Sequence, residues 1–206
     1  GLAVWDGLKH IPYCCYCLTH PFEGFFRMKE DKRKQSMAAT IILYALLAVS
    51  AIAKQQLTSY MFANVESQLN LDVLKMVFTT LLPYMLWVVS SWCFTSLMDG
   101  EGNLKDIFCA TAVAAIPVIA VNIVLIPLSY LMTSDESNLY DFISALGTIL
   151  MVAYMFLSMM STQQYSVLKA IGTAILTVVG MAVIAFVVIL FFYLIQQVWG
   201  FISSVF

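Results

Sequence analysis

The chain has 206 residues, of which 62 % are hydrophobic and 11 % are charged, with a formal net charge of −2. Soluble domains carry about 25 % charged residues, so this composition excludes an ordinary soluble fold. It predicts an all-α polytopic membrane protein without a separate soluble domain.

The first segment, residues 1–36, is predicted to lie at the cytoplasmic membrane interface rather than to cross it. Pro12 and Pro21 interrupt helical geometry there, because proline lacks a backbone N–H and clashes with the preceding turn. Aromatic and aliphatic side chains precede a basic run at residues 27–34. This pattern favours an amphipathic anchor on anionic lipid, with docking of a cytoplasmic partner as the alternative.

Both histidines and three of the five cysteines fall within residues 10–20. His10, Cys14 and Cys17 would share one face of a continuous helix, which is a ligand-like spacing for zinc. Pro12 interrupts that helix, and no paired C-x-x-C motif elsewhere completes a familiar site. The cysteines are therefore interpreted as small interfacial hydrophobes, and no metal or cofactor is predicted. Zinc binding is the alternative.

Five runs without charge approach or reach the length that a bilayer demands of a helix, on the order of 17–25 residues. They lie at residues 37–53, 76–98, 107–132, 142–160 and 170–195. We therefore predict a bundle of five transmembrane helices occupying residues 37–206.

The third run is unusual because it holds Pro117 and Pro127 with Asn122 midway between them. Each proline frees a carbonyl that neighbouring helices must accommodate. Asn122 is expected to face the bundle and bond across helices, with a place on a transport pathway as the alternative. Small residues that allow close helix approach precede the first proline: Ala110, Ala112, Ala114 and Ala115.

The last two runs contain glycines and a methionine stripe that allow two interpretations. Gly147, Gly172 and Gly180 are small-residue positions, and methionines recur at helical spacing from Met151 to Met159. Such patches serve internal packing and self-association equally well.

No run contains Asp, Glu, Lys, Arg or His. Proton-coupled carriers normally need ionisable groups inside the membrane, and most hydrolases need a general acid or base. The chain is therefore predicted not to be an enzyme.

The Lys and Arg residues lie mostly on one side of the predicted spans. Eight precede the first span or lie in the second-to-third and fourth-to-fifth connectors, whereas only Lys54 and Lys75 lie on the other side. Because cytoplasmic loops are enriched in Lys and Arg, the N-terminus is predicted inside and the C-terminus outside.

A charged turn, Asp-Gly-Glu-Gly-Asn-Leu-Lys-Asp, occupies residues 99–106. Gly100 and Gly102 permit the positive φ angles of a tight reversal, while Asn103 and Asp106 form a capping-box pair for the next helix. Its three carboxylates suggest a cation site as the alternative, but the turn is shorter than the EF-hand loop of about 12 residues.

The stretch from Trp92 to Phe108 resembles the bacterial Yip1-domain family, whose members carry a tryptophan, a D-G-E-G turn and a K-D-I/F-F helix start. Other motifs of that family are matched in chain order by His20-Pro21-Phe22-Glu23-Gly24-Phe25, Ala114-Ala115-Ile116-Pro117, Gln164-Tyr165-Ser166 with Lys169, and Gln196-Gln197-Val198-Trp199-Gly200-Phe201. Thr162-Gln163 departs from the pattern, which has a histidine there.

The resemblance implies a five-span helical domain. Eukaryotic relatives sit in early secretory membranes and interact with Rab-type GTPases, but they have a different turn, so Rab binding is not carried over. Bacterial relatives have no assigned role, and some are encoded beside carbohydrate ABC transporters. The resemblance therefore implies a protein of the bacterial cytoplasmic membrane.

We expect an interaction, scaffold or accessory protein, with a small transporter or pore as the alternative. The expected partners are the lipid bilayer and other membrane proteins, an ABC-type transporter or a second copy among them, and not nucleic acid. The candidate cytoplasmic contact face comprises His20, Pro21, Phe22, Asp99, Gly100, Glu101, Gly102, Lys105, Asp106, Tyr165 and Lys169. The candidate intramembrane polar site comprises Pro117, Asn122 and Pro127.

Overall fold

A computed structural model describes residues 37–58, 73–98, 100, 102–132 and 137–205, with side chains described as far as residue 201. These residues form six helices: α1 Met37–Leu57, α2 Val73–Leu97, α3 Leu104–Ala114, α4 Ile116–Leu131, α5 Ser137–Gln163 and α6 Val167–Val205. The predicted interfacial segment, with its histidines and its candidate zinc ligands, lies outside the described residues.

Five stretches of helix are long and apolar enough to cross a membrane, with α3 and α4 together supplying one of them. The predicted five-span, all-α architecture is therefore confirmed. The helices extend beyond the predicted runs; α5, for example, begins at Ser137 and includes Asp141. The reason is that a charged side chain ends a charge-free run without ending a helix whose terminus reaches water or headgroups.

The third span is divided into α3 and α4 at Ala115. Pro117 occupies the second position of α4, so its nitrogen cannot donate to the carbonyl one turn back. The Ala115 N–H instead donates to the Ala112 carbonyl at 3.3 Å, which tightens the last turn of α3. Pro127 and Pro83 lie inside α4 and α2, which continue through them. Only the first of the two prolines in this span therefore divides it.

The core of the bundle is built around α3, which packs against α1, α2 and α5. Four small side chains on and just after α3 are almost completely buried: Ala110, Ala112, Ala114 and Ala115. Leu47, Tyr84 and Met155 belong to the same buried cluster and come from the three surrounding helices. The alanines thus allow the close approach that the sequence predicted.

Of the three glycines that the sequence analysis singled out in the last two spans, two make internal contacts. A methyl group on Gly147 would lie 2.9 Å from Val121 Cβ on α4, and one on Gly180 would lie 2.5 Å from Ser90 Oγ on α2. A methyl group on Gly172 would meet nothing within 4 Å. Gly147 and Gly180 therefore serve packing within the chain.

Helix α6 packs mainly on α2 and extends far beyond that contact. Its packed face carries buried residues three or four positions apart, Ala170, Thr173, Thr177 and Gly180. From residue 181 to residue 201 no side chain of α6 is buried. A cavity of about 640 Å³ lies among α2, α4, α5 and α6, and its wall is almost entirely apolar, with Tyr84, Met155 and Val178 among its residues.

Candidate contact surface at one end of the bundle

The α2–α3 connector contains the helix cap that the sequence predicts. Asn103 has an extended conformation before α3, and its N–H donates to Asp106 Oδ2 at 3.4 Å in a capping box. The Asp106 N–H donates to the Asn103 carbonyl at 2.9 Å. At the end of α2, the Gly100 N–H donates to the Thr95 carbonyl at 3.0 Å. These bonds satisfy backbone groups that the end of α2 and the start of α3 would otherwise leave unpaired.

The α5–α6 connector has a cap that sequence reasoning missed. Gln164 has a φ of 53°, which is the left-handed region that glycine or asparagine usually occupies. The Tyr165 N–H donates to the Met160 carbonyl at 3.3 Å, which is the outer bond of a Schellman motif. Ser166 then precedes α6, a position that favours serine. A glutamine at the left-handed position gives no sequence signal for this motif.

The two connectors are in direct contact. Lys169 Nζ donates to the Met98 carbonyl at 2.9 Å and lies 4.6 Å from the centroid of the Tyr165 ring. The ammonium group thus occupies a cation–π position while it satisfies a carbonyl at the end of α2. We use the term connector surface for residues 98, 100, 102–106 and 163–169.

The glycines of the charged turn make room for the other connector. A methyl group on Gly100 would overlap Thr95 Cγ2 and Tyr165 Oη, and one on Gly102 would lie 3.3 Å from Gln163 Cγ. No glycine in the described part of the chain has a positive φ angle. The interpretation of these glycines as positive-φ positions is therefore replaced by close approach between connectors.

A layer of buried polar side chains lies under the connector surface. Gln163 Nε2 donates to Ser91 Oγ at 3.2 Å, which joins α5 to α2. Ser90 Oγ donates to the Thr177 carbonyl at 2.7 Å, which joins α2 to α6. Interhelical bonds of this kind contribute about 0.6 to 2 kcal/mol each in a membrane protein. The sequence indicates this layer only through serine and threonine residues near the ends of the apolar runs.

The candidate contact residues that the structure describes lie at the connector end of the bundle. Lys105 and Lys169 are exposed, whereas Tyr165 is buried beneath Lys169 and supports the surface rather than forming its outside. Of the remaining candidates, Gly100 and Gly102 belong to the α2–α3 connector, and Asp106 lies in the first turn of α3. Those outside the described residues are His20, Pro21, Phe22, Asp99 and Glu101.

The intramembrane candidates lie apart from the connector surface. Asn122 is only 7 % exposed, which agrees with its predicted inward orientation. The structure gives its side chain no hydrogen-bond partner on another described helix, so the expected cross-helix bond is not found there. Leu125, in the next turn, is fully buried in an apolar cluster with Met132 and Tyr140.

The described ranges also contain no group of three or more His, Cys, Asp or Glu side chains placed to hold a metal ion. At the opposite end of the bundle, Lys54 Nζ donates to Ser144 Oγ at 3.0 Å and joins α1 to α5. Among the described residues, the polar contacts at the connector end are helix caps, the Lys169–Tyr165 cation–π contact and hydrogen bonds of buried hydroxyl and amide groups.

The five apolar spans define an integral membrane protein with an all-helical fold. The family model described as Yip1 domain matches residues 16–160, and the chain belongs to that family. The match covers the first four spans and the α2–α3 connector and ends before the α5–α6 connector. No curated protein and no solved structure is similar enough to count as a match.

Proposed function

We propose that this protein is a non-enzymatic interaction or accessory protein that binds other membrane proteins through its connector surface. The observation that carries the proposal is the contact between the two connectors, in which Lys169 reaches the Met98 carbonyl and Gly100 lies against Tyr165. The described residues of the two connectors are thereby held together as one preformed unit. A preformed surface binds with a smaller loss of conformational entropy than two independent loops.

The side chains displayed around this unit suit recognition of a protein. Leu168 and Leu97 are 85 % and 76 % exposed, Leu168 adjoins the exposed Lys169 in the chain, and Lys105 is exposed as well. Exposed apolar groups beside polar ones are typical of sites where proteins meet proteins or membranes. The cations add charge complementarity toward acidic groups on a partner.

The distribution of Lys and Arg supports a cytoplasmic position for the connector surface, with the N-terminus inside and the C-terminus outside. We place the protein in the bacterial cytoplasmic membrane on the resemblance of its motifs. On the same basis, the proposed partners are an ABC-type transporter or a second copy of the chain. His20, Pro21, Phe22, Asp99 and Glu101 are proposed to complete the contact face.

The alternative of a small transporter or pore depends on the divided third span. At the division, Ala114 and Ala115 are packed in one apolar cluster with Leu43, Leu47 and Met155. This packing favours a structural role for the break. Asn122 gives no support for a polar path. Its side chain is buried, and Leu125, one turn further along α4, is buried in an apolar cluster.

Site-specific photo-crosslinking in native membranes tests the proposal. A benzophenone amino acid placed at the exposed position Gln164 should crosslink to a membrane protein, whereas the same probe at exposed Lys75, on the first turn of α2, should not. Lys105→Glu should reduce the crosslink at position 164 severalfold, and Lys75→Glu should leave it unchanged. Equal crosslinking from positions 164 and 75, or a crosslink at position 164 that Lys105→Glu leaves unchanged, would refute the proposed contact surface.

A further inference from the structure

A small cavity of about 10 Å³ lies directly beneath the connector surface, among α2, α3 and α5. Its wall includes the side chains of Ser91, Thr111, Ser158, Thr162 and Gln163. A cavity needs roughly 10–15 Å³ of this kind of volume to hold one water molecule, together with two to four polar partners. The volume lies at the lower end of that range and admits at most one water, and the rest of the wall is apolar, from Trp87, Ile107, Ala110 and Met159.

Gln163 supplies an unmet hydrogen-bonding group at this cavity. Its side chain is only 2 % exposed, and its Nε2 donates to Ser91 Oγ, while its Oε1 has no hydrogen-bond partner among the described residues. Turning the amide by 180° would pair Oε1 with Ser91 and leave Nε2 without that bond instead. In either orientation one end of the amide needs a partner, because a buried polar atom without one costs about 1–3 kcal/mol.

The hydroxyl groups on the cavity wall are arranged to accept hydrogen bonds. Thr111 Oγ1 donates to the Ile107 carbonyl at 2.7 Å, and Ser158 Oγ donates to the Met155 carbonyl at 2.8 Å. Both hydroxyl protons are thus used within their own helices, and the oxygen lone pairs remain. A molecule that brings two O–H donors complements Gln163 Oε1 together with one of these hydroxyl oxygens.

We propose that this cavity binds one structural water molecule, which donates one O–H to Gln163 Oε1 and the other to Thr111 Oγ1, with the Ser158 hydroxyl on the wall beside it. The water joins the end of α5 to α3, and Gln163 joins it to Ser91 on α2. It therefore completes the polar layer directly under the two connectors. Its occupancy is independent of any partner that the connector surface binds.

Water–protein NOE and ROE spectroscopy tests the proposal on the full chain in micelles, with glutamine labelled with nitrogen-15. The Gln163 amide protons should show water cross-peaks of opposite sign in the two experiments, because a trapped water tumbles with the protein. Gln163→Met should identify these peaks by removing them. The exposed amide of Gln197 on α6 is the control and should show no such peaks.

Ser158→Val is the second variant, because it keeps the Gln163 amide visible while its methyl groups fill the cavity. The opposite-sign cross-peaks should disappear from Gln163 in this variant, and those of the other glutamines should be unchanged. Absence of these peaks from Gln163 in the unsubstituted protein would overturn the proposal. Their persistence in Ser158→Val would place the water elsewhere and would equally overturn it.

Discussion

Replacing Gly100 by alanine is the most direct test of the contact between the two connectors. The added methyl group would overlap Thr95 Cγ2 and Tyr165 Oη. Both side chains are buried, and the tip of a tyrosine ring moves only if the whole ring moves, so the connectors must separate. Overpacking of this kind costs about 1–3 kcal/mol of unfolding free energy. For a chain of this size, each kcal/mol lowers Tm by about 2–4 °C, so we expect a decrease of about 2–12 °C.

Two other glycines provide a graded comparison for Gly100→Ala. Gly102→Ala brings a methyl group to 3.3 Å from Gln163 Cγ, which a small shift relieves, so we expect a change below about 1 kcal/mol. Gly172→Ala meets nothing within 4 Å and lies inside α6, so helix propensity should raise stability by about 0.5–1 kcal/mol.

Thermal unfolding in one detergent, followed by circular dichroism and by the reactivity of buried Cys109, provides the measurement. Tyr165→Phe removes the phenolic oxygen that the new methyl group would meet, so the Gly100→Ala/Tyr165→Phe pair should recover part of the lost stability in a double-mutant cycle. A Gly100→Ala protein as stable as Gly102→Ala, or strict additivity in the cycle, would refute close approach as the role of Gly100.

Three further results are expected. Lys169→Met should lower the unfolding free energy by about 1 kcal/mol, because it removes a hydrogen bond to a carbonyl and a cation–π contact, while Lys105→Met should change it little. Equal effects of the two variants in thermal unfolding would contradict the assigned contacts. Gly180→Ala should lower Tm by several degrees whereas Gly172→Ala in the same helix should not, and equal Tm values for the two variants would show that α6 does not depend on this contact. Cys14 should react with an impermeant maleimide from the cytoplasmic side alone, so labelling from outside intact cells would disprove the proposed orientation.

The spans and the α3 cap could be predicted because each depends on residues close together in the chain. A span is recognised as a run without charge because charged side chains are costly in hydrocarbon. The Asn103–Asp106 capping box forms between residues within one helical turn. The meeting of Gly100 with Tyr165 could not be predicted in this way, because it depends on how α5 and α6 dock against α2. The left-handed Gln164 was missed because glutamine gives no sequence signal for a position that glycine or asparagine usually occupies.

The long last helix divides into two parts with different sources of stability. Its first 14 residues gain free energy from packing on α2, up to Gly180, whereas no side chain from residue 181 to residue 201 is buried and those from residue 186 to residue 201 are all exposed. An unpaired backbone group is too costly to persist in hydrocarbon, so the part of this segment that is embedded in lipid or detergent needs no packing partner to stay helical. Distal α6 should therefore stay helical when the packing between the helices is lost. The helicity that remains in the thermally unfolded protein in micelles should come from this part of the chain.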